Sequence, residues 1–160
     1  MTDHTVEKKI DIDTLVVTVS TSRTPDSDVS GSLMEDKMRQ ISGSTSRMLI
    51  RDSSEEIVKA LEGATSDVIV FVGGTGPSRM DLTAVTLRSQ CEKEIPGFGE
   101  LFRRRSEDSV GLKAYLSDAS MFIYDRKIIF AVPGSRGAQE MASEIISGIL
   151  WHLLGEARKE

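Results

Sequence analysis

Short runs of consecutive apolar residues alternate along the chain with polar stretches. Three runs rich in Val and Ile predict strands that are buried on both faces, as in a parallel sheet covered by helices: residues 15 to 19, 67 to 72 and 127 to 132. A weaker run at residues 45 to 51 predicts another strand. Residues 121 to 124 precede the last run by the two residues Asp125 and Arg126, which favours a tight hairpin.

Between these runs, apolar residues recur at steps of three and four and predict helices. The predicted helices cover residues 33 to 41, a segment around residues 57 to 61, about 81 to 92, a short piece at 110 to 116, and the chain after residue 135. Strands that alternate with helices predict an α/β fold with a mostly parallel sheet, and the hairpin adds one antiparallel strand. We expect one domain over residues 14 to 156 and a flexible leader over residues 1 to 13.

Composition and charge exclude several classes of protein. The net charge of −5 disfavours electrostatic binding of nucleic acid or of an anionic membrane, which requires an excess of Lys and Arg. The apolar runs are far shorter than the ~20 residues that span a bilayer. The single Cys91 excludes an intrachain disulfide and a multi-cysteine zinc site and favours a reducing compartment, so we expect a cytoplasmic protein without nucleic-acid or membrane partners.

The stretch after the strand at residues 67 to 72 is a candidate phosphate site. Gly73, Gly74 and Gly76 let the backbone turn tightly and direct amide groups at an anion near the next helix. The plainer alternative is that the glycines only allow a strand to turn into a helix. The groups that a phosphate-plus-magnesium site uses also lie there, on Thr75, Ser78, Arg79 and Asp81. The stretch matches neither a Walker A loop nor a dinucleotide-binding loop.

Asp52 and Asp81 are candidate magnesium ligands, because each follows a predicted strand and ligands bind at the carboxyl ends of parallel strands. For each, a helix N-cap is the plainer alternative. Pro133, Gly134 and Ser135 form a second candidate anion site at a helix start, and capping alone explains Ser135 about as well.

Other candidates are weaker. His4 and His152 belong to no acid–nucleophile pattern, so we interpret both as structural or exposed. Cys91 has no nearby His in the sequence, so we interpret it as a small bystander. The arginine run at residues 103 to 105 could dock a polyanion, although a solvated charged face or a strip of salt bridges between subunits is the commoner role.

Four motifs in order resemble the MogA/MoaB family of molybdenum-cofactor biosynthesis proteins. They are GGTGPSRMDLT at residues 73 to 83, PGFGELFRRRS at 96 to 106, LSDA at 116 to 119 and PGSRGA at 133 to 138. The opening VTVSTSRT, which includes Ser20, and the sequence DVSG at residues 28 to 31 match the family's first strand and loop. The similarity extends over residues 14 to 154.

This resemblance implies a three-layer α/β/α fold and a molybdopterin adenylyltransferase. The terminal phosphate of molybdopterin would attack the α-phosphate of ATP with Mg2+ bound, in a homotrimer or homohexamer. Asp52 and Asp81 match the family's two important aspartates, and Ser20, the residues of the glycine-rich stretch and Ser135 are implied in binding the substrates.

The chain also departs from the family pattern. Met80 and Asp118 stand where the family commonly has Arg, and no acidic residue follows within a few positions of Thr83. Loss of a charged contact to phosphate would weaken binding by ~1–3 kcal/mol. Two alternatives therefore stay open: a non-catalytic molybdopterin-binding or assembly subunit, and a related domain that binds another nucleotide.

Overall fold

The structure is a computed structural model that describes residues 12 to 159 of the chain. The predicted flexible leader therefore lies almost entirely outside the described residues. Of its thirteen positions, Ile12 and Asp13 are described: Ile12 is buried and Asp13 begins the first strand.

Within residues 12 to 159, six strands form one mixed sheet in the order β2-β1-β3-β6-β5-β4. Their bounds are β1 Asp13–Val19, β2 Ser44–Ile50, β3 Val68–Val72, β4 Lys93–Glu94, β5 Ser120–Tyr124 and β6 Lys127–Val132. Strands β2, β1, β3 and β6 pair in parallel, whereas β5 runs antiparallel to both of its neighbours. The predicted mostly parallel sheet with one antiparallel strand from the late hairpin is confirmed.

In the described part of the chain, four α-helices lie between strands and a fifth follows β6: α1 Val29–Arg39, α2 Ser54–Gly63, α3 Thr83–Gln90, α4 Pro96–Val110 and α5 Arg136–Ala157. Two short 3-10 helices, Pro25–Ser27 and Gly111–Leu116, complete the described elements. The sequence prediction missed β4 and α4, and the short helix predicted over residues 110 to 116 is a 3-10 helix that continues α4.

Helix α4 was missed because its first turn contains Pro96, Gly97 and Gly99, residues that usually indicate a loop. Proline is nevertheless favourable at the first position of a helix, where its missing N–H is not needed. Packing then decides the conformation: Phe98 is buried with its ring centroid 5.1 Å from that of Phe130 in β6.

The sheet separates two hydrophobic cores. On one face, side chains such as Val70 pack against α1, α4 and α5, and on the other face side chains such as Phe71 pack against α2 and α3. Alternate residues of one strand therefore face different helices, which explains why both faces of the strand are apolar. The three-layer α/β/α architecture is confirmed, and it brings the ends of β2, β1, β3 and β6 to one edge of the sheet.

Within residues 12 to 159, no helix is both long and apolar enough to cross a membrane.

Candidate functional site

Four loops meet at the carboxyl edge of the parallel strands. They cover residues 20 to 28 after β1, 51 to 53 after β2, 73 to 82 after β3 (the glycine loop) and 133 to 135 after β6. Backbone hydrogen bonds extend the sheet into them: Ser20 N donates to Ile50 O and Gly73 N donates to Val132 O, each at 2.9 Å. Because β3 lies between β1 and β6, the glycine loop is central in this row.

The glycine loop requires its first two glycines. Gly73 and Gly74 have φ of 101° and 69°, values that L side chains adopt with strain. A Cβ on Gly74 would lie 2.3 Å from Thr83 Oγ1. Thr83 Oγ1 is itself buried without a hydrogen-bond partner among the described residues. The positive φ values thus explain why glycines are needed at these two positions. The loop also covers a buried hydroxyl, Thr83 Oγ1, that is free to bind a further group.

Asp81 folds back onto the glycine loop. Its Oδ2 accepts a hydrogen bond from Ser78 N at 3.0 Å, and a Cβ on Gly76 would lie 2.6 Å from the same oxygen. Leu82 occupies the N-cap position of α3, so the interpretation of Asp81 as a helix cap is wrong. Arg79 is exposed at the tip of the loop.

Asp52 connects the loops after β1 and β2. Its Oδ2 accepts from both Thr21 N and Thr21 Oγ1 at 3.0 Å, and its own N–H donates to Thr21 Oγ1 at 3.2 Å. Ser53 provides the N-cap of α2 by accepting from Glu56 N. The interpretation of Asp52 as a helix cap is therefore also wrong, and its carboxylate is held toward the loop after β1.

A polar cavity of about 350 Å³ lies beside Asp52, at the ends of β1 and β2. Its polar lining residues are two arginines, two hydroxyl residues and one glutamate: Ser20, Thr21, Arg23, Arg51 and Glu56. We name it the β1–β2 cavity. Its lining includes neither Asp52 nor Asp81. Guanidinium groups beside hydroxyls suit the phosphates of a nucleotide.

Asp52 and Asp81 alone provide too few ligands for magnesium, so they fit a magnesium site only if the substrates supply further ligands. Residues 12 to 159 contain no group of three or more His, Cys, Asp or Glu side chains that could hold a metal ion. The hydrogen bonds described for Asp52 and Asp81 engage Oδ2 of each carboxylate. Magnesium is commonly bound by one or two carboxylates together with substrate phosphates and water, and this donor set is compatible with that mode.

A second cavity, of about 320 Å³, lies between α4, the 3-10 helix Gly111–Leu116 and the start of α5. We name it the α4–α5 cavity. Ser135 lines it and caps α5 by accepting from Ala138 N at 3.3 Å. Ser117 also lines it, and Ser117 Oγ is buried without a hydrogen-bond partner among the described residues. Lys113 adds a positive charge.

Sequence reasoning missed Ser106, Lys113 and Ser117 as lining residues of the α4–α5 cavity. Ser106 and Ser117 do lie in two of the quoted motifs, and that was the available signal. The motifs alone do not reveal the cavity, because the sequence pattern does not predict α4. Without α4, no argument from the sequence brings Ser106 and Ser135 to the same cavity.

The arginine run is not a single binding surface. Arg103 Nη1 donates to the carbonyl oxygens of Ser117 and Ala119 at 3.2 and 3.1 Å, so it holds the segment before β5. Arg104 and Arg105 are exposed.

The surroundings of Asp118 and Cys91 explain the pKa shift of each residue. Hydrogen bonding to Arg88 holds the pKa of Asp118 below its usual range, and hydrogen bonds to Glu94 and then to Asp118 raise the pKa of Arg88. Burial, with the charge of Glu92 nearby, raises the pKa of Cys91 to about 12. A thiol that stays protonated at neutral pH is a poor nucleophile, which agrees with the bystander interpretation.

His152 is exposed on α5, and His4 lies outside the described residues.

The chain is thus a three-layer α/β domain with polar loops gathered at the ends of its parallel strands. A family model described as a probable molybdopterin binding domain matches residues 15–152. The chain therefore belongs to that family, as the resemblance to MogA/MoaB proteins predicted.

Individual relatives agree with this assignment. Molybdenum cofactor biosynthesis protein B of Staphylococcus carnosus is 36% identical over 157 residues, which cover 93% of this chain and 92% of the relative. A probable molybdopterin adenylyltransferase of Methanocaldococcus jannaschii is 37% identical over 154 residues, covering 90% of this chain and 93% of the relative. The crystal structure of the tungsten cofactor synthesizing protein MoaB from Pyrococcus furiosus superposes with a TM-score of 0.83 at 31% identity, covering 92% and 98% of the two chains.

Proposed function

We propose that this protein acts in molybdenum cofactor biosynthesis and transfers the adenylyl group of ATP to the terminal phosphate of molybdopterin. One observation carries the proposal: the two cavities are lined by strand-end loops on either side of the glycine loop. The β1–β2 cavity takes Ser20 and Arg51 from the loops after β1 and β2, and the α4–α5 cavity takes Pro133 and Ser135 from the loop after β6. Strand β3, which leads into the glycine loop, lies between β1 and β6. The distance across the sheet from β2 to β6 is three strand spacings, or roughly 14 Å. Two phosphorylated ligands that enter from opposite sides can fill this distance.

The β1–β2 cavity is the proposed site of the ATP phosphates. Arg23 and Arg51 supply the cationic groups, and the hydroxyls of Ser20 and Thr21 can donate further hydrogen bonds. Guanidinium groups bind phosphate oxygens through two N–H donors at once, which fixes orientation as well as charge.

The α4–α5 cavity is the proposed site of the phosphorylated pterin. The Ser117 hydroxyl, which has no hydrogen-bond partner in the described part of the chain, the Lys113 ammonium and the start of α5 at Ser135 provide donors for a phosphate. Phe102 and Met141 provide an apolar wall. An anion is favoured at a helix N-terminus because unpaired amides and the helix dipole point toward it.

The reaction joins the two ligands at the glycine loop. An oxygen of the pterin phosphate attacks the α-phosphorus of ATP, the bond from that phosphorus to the bridging oxygen of the β-phosphate breaks, and pyrophosphate leaves with the bond's electron pair. The amides of residues 74 to 76 stabilise the charge on the transferred phosphoryl group and keep the reactants in line, whereas the Gly73 N–H is already bonded to Val132 O. Asp52 and Asp81 would hold magnesium, which neutralises phosphate charge when bound.

A non-catalytic molybdopterin-binding subunit is the second candidate. It is favoured by Met80 and Asp118, which supply no cation where the resemblance led us to expect one. Calorimetry separates the two functions: a carrier would bind molybdopterin and show no heat of ATP binding, whereas the adenylyltransferase would bind both.

The decisive experiment is a product assay with molybdopterin, ATP and magnesium. We expect adenylylated molybdopterin and pyrophosphate in equal amounts, and loss of product formation in Asp81→Asn with the fold retained. Asp36→Asn, an exposed aspartate on α1, is the matched control and should keep full turnover. No product from the wild-type chain, with both ligands bound, would contradict the proposed activity.

We also propose a cytoplasmic homotrimer or homohexamer. The single cysteine and the biosynthetic role of the relatives support the compartment. Exposed apolar side chains on the 3-10 helix, including Leu112 and Leu116, support burial against another subunit. Light scattering of the full chain gives the mass, and a monomer would contradict the proposal.

A further inference from the structure

Arg88 joins three separate segments of the fold. Its Nη1 and Nη2 donate to the two carboxylate oxygens of Asp118 at 3.0 and 2.9 Å. Its Nε and Nη2 donate to the two carboxylate oxygens of Glu94 at 2.9 and 3.0 Å. Helix α3 is therefore tied both to β4 and to the segment that enters β5, and Asp118 is not a group left without a partner.

The backbone of Asp118 is in turn hydrogen-bonded to the glycine loop. Its N–H donates to the carbonyl of Thr75 at 2.7 Å, and Thr75 is buried in the middle of that loop. The Asp118 side chain also accepts from Ser120 Oγ at 2.9 Å. Since Arg103 holds the carbonyls of the residues on either side, Asp118 has little freedom to move.

We propose that Arg88 and Asp118 are positioning residues for the glycine loop. Their ion pair keeps Asp118 in place, and the N–H of Asp118 then holds the Thr75 carbonyl by a hydrogen bond. In this way the ion pair determines the position of the amides of residues 73 to 76. The consequence for catalysis rests on the proposed function, whereas the consequence for the loop does not.

The geometry of the contact makes this role specific to arginine. Arg88 uses its planar fork on two carboxylates at once, and its guanidinium lies 5.7 Å from the centre of the Phe122 ring. A lysine carries the same charge but cannot make these paired contacts. Partly exposed ion pairs stabilise folds only weakly, so we expect the effect on loop position to exceed the effect on stability.

Hydrogen exchange of the loop tests the proposal without any substrate. In peptides that cover residues 73 to 81, we expect exchange about fivefold faster in Asp118→Ala and in Arg88→Lys. The reversed pair Arg88→Glu with Asp118→Arg should restore slow exchange, because the new arginine then lies between two carboxylates. Arg39→Ala, which removes the ion pairs of Arg39 with Glu35 and Asp36 at the far end of α1, is the control and should leave these peptides unchanged.

Kinetics of adenylyl transfer supply a second readout. In Arg88→Lys we expect kcat to fall about tenfold, since misplacement of reacting groups affects the chemical step. The KM for ATP should stay within about twofold, because the β1–β2 cavity is untouched. The reversed pair should recover kcat, which a change in global stability alone would not produce.

The outcomes separate this proposal from the proposed function. An active wild-type chain whose single variants keep both loop exchange and kcat would overturn the positioning role. Failure of the reversed pair to restore slow exchange would also overturn it. A wild-type chain without adenylyl transfer, but with loop exchange that responds to these variants, would remove the proposed activity and leave the positioning role intact.

Discussion

The hydroxyl of Ser30 donates a 2.6 Å hydrogen bond to the carbonyl of Gly134, a residue 104 positions later in the chain. The same hydroxyl accepts a 2.6 Å hydrogen bond from Arg23 Nη1. One buried serine therefore holds both a guanidinium of the β1–β2 cavity and the backbone next to the α4–α5 cavity. The two ends of the site are connected through Ser30, not only through the sheet.

Replacing Ser30 with Ala should affect the β1–β2 side of the site most. Gly134 O keeps its hydrogen bond from Gln139 Nε2 at 3.0 Å, whereas Arg23 loses its partner at Ser30. We expect the free energy of unfolding to fall by about 1 kcal/mol. The KM for ATP should rise more than the KM for molybdopterin. Urea unfolding and steady-state kinetics measure these changes, with Ser32→Ala on the same helix as the control. Equal KM values for ATP in the two variants would contradict the connection.

Replacing Ser117 with Ala should change stability and ligand affinity in opposite directions. Its hydroxyl is buried without a hydrogen-bond partner among residues 12 to 159, which costs about 1–3 kcal/mol in the ligand-free protein. Its removal should leave the free energy of unfolding unchanged or raise it. Affinity for molybdopterin should fall if the hydroxyl binds the pterin phosphate. Calorimetry and denaturant unfolding of the same samples give both numbers, and unchanged affinity would exclude Ser117 from the site.

The strands and the site loops were predictable because their signals are local. An apolar run such as residues 67 to 72 is long enough to indicate a buried strand. The rule that ligands bind at strand ends then selects the loops of Asp52 and Asp81. Neither step needs knowledge of which segments touch in the folded protein.

The rest depends on contacts between residues far apart in sequence. Asp52 pairs with Thr21, 31 residues away, and Arg88 pairs with Asp118, 30 residues away. No local pattern distinguishes these aspartates from helix caps or solvated charges. The α4–α5 cavity was missed for the same reason, because it forms only once Phe98 and the rest of α4 pack onto the sheet.

Cys91 should show its raised pKa in both labelling and stability. Burial moves the pKa from about 8.5 in the unfolded chain to about 12 in the folded protein. A raised pKa contributes stability that is fully present below the unfolded value and is lost as pH rises through the folded value. Between about pH 8.5 and 12, wild type should therefore lose stability faster than Cys91→Ala.

Thiol labelling at pH 8 checks the same shift directly. The native chain should react with a disulfide reagent more slowly than the urea-unfolded chain, because little thiolate is present. Cys91→Ala should keep full adenylyl transfer. Fast labelling of the native chain would contradict the raised pKa.

Replacing Gly74 with Ala should disrupt the glycine loop, whereas the same change at Gly148 should not. At Gly74 the new Cβ would meet Thr83 Oγ1 at 2.3 Å, and the φ of 69° adds strain. We expect the free energy of unfolding to fall by about 2 kcal/mol or more, with loss of phosphate binding. At Gly148, inside α5, no atom of the described residues outside the adjacent helix backbone lies within 4 Å of the added Cβ, so Ala should stabilise the helix by up to about 1 kcal/mol.

Combining Gly74→Ala with Thr83→Ala separates the two causes of that loss. The second substitution removes the clashing hydroxyl and leaves the backbone strain of a positive φ. We therefore expect partial recovery of the free energy of unfolding, measured by urea denaturation, relative to Gly74→Ala alone. If the double variant recovers nothing, the Thr83 hydroxyl is not the group that excludes a side chain at position 74, and the close packing of the loop onto α3 has another cause.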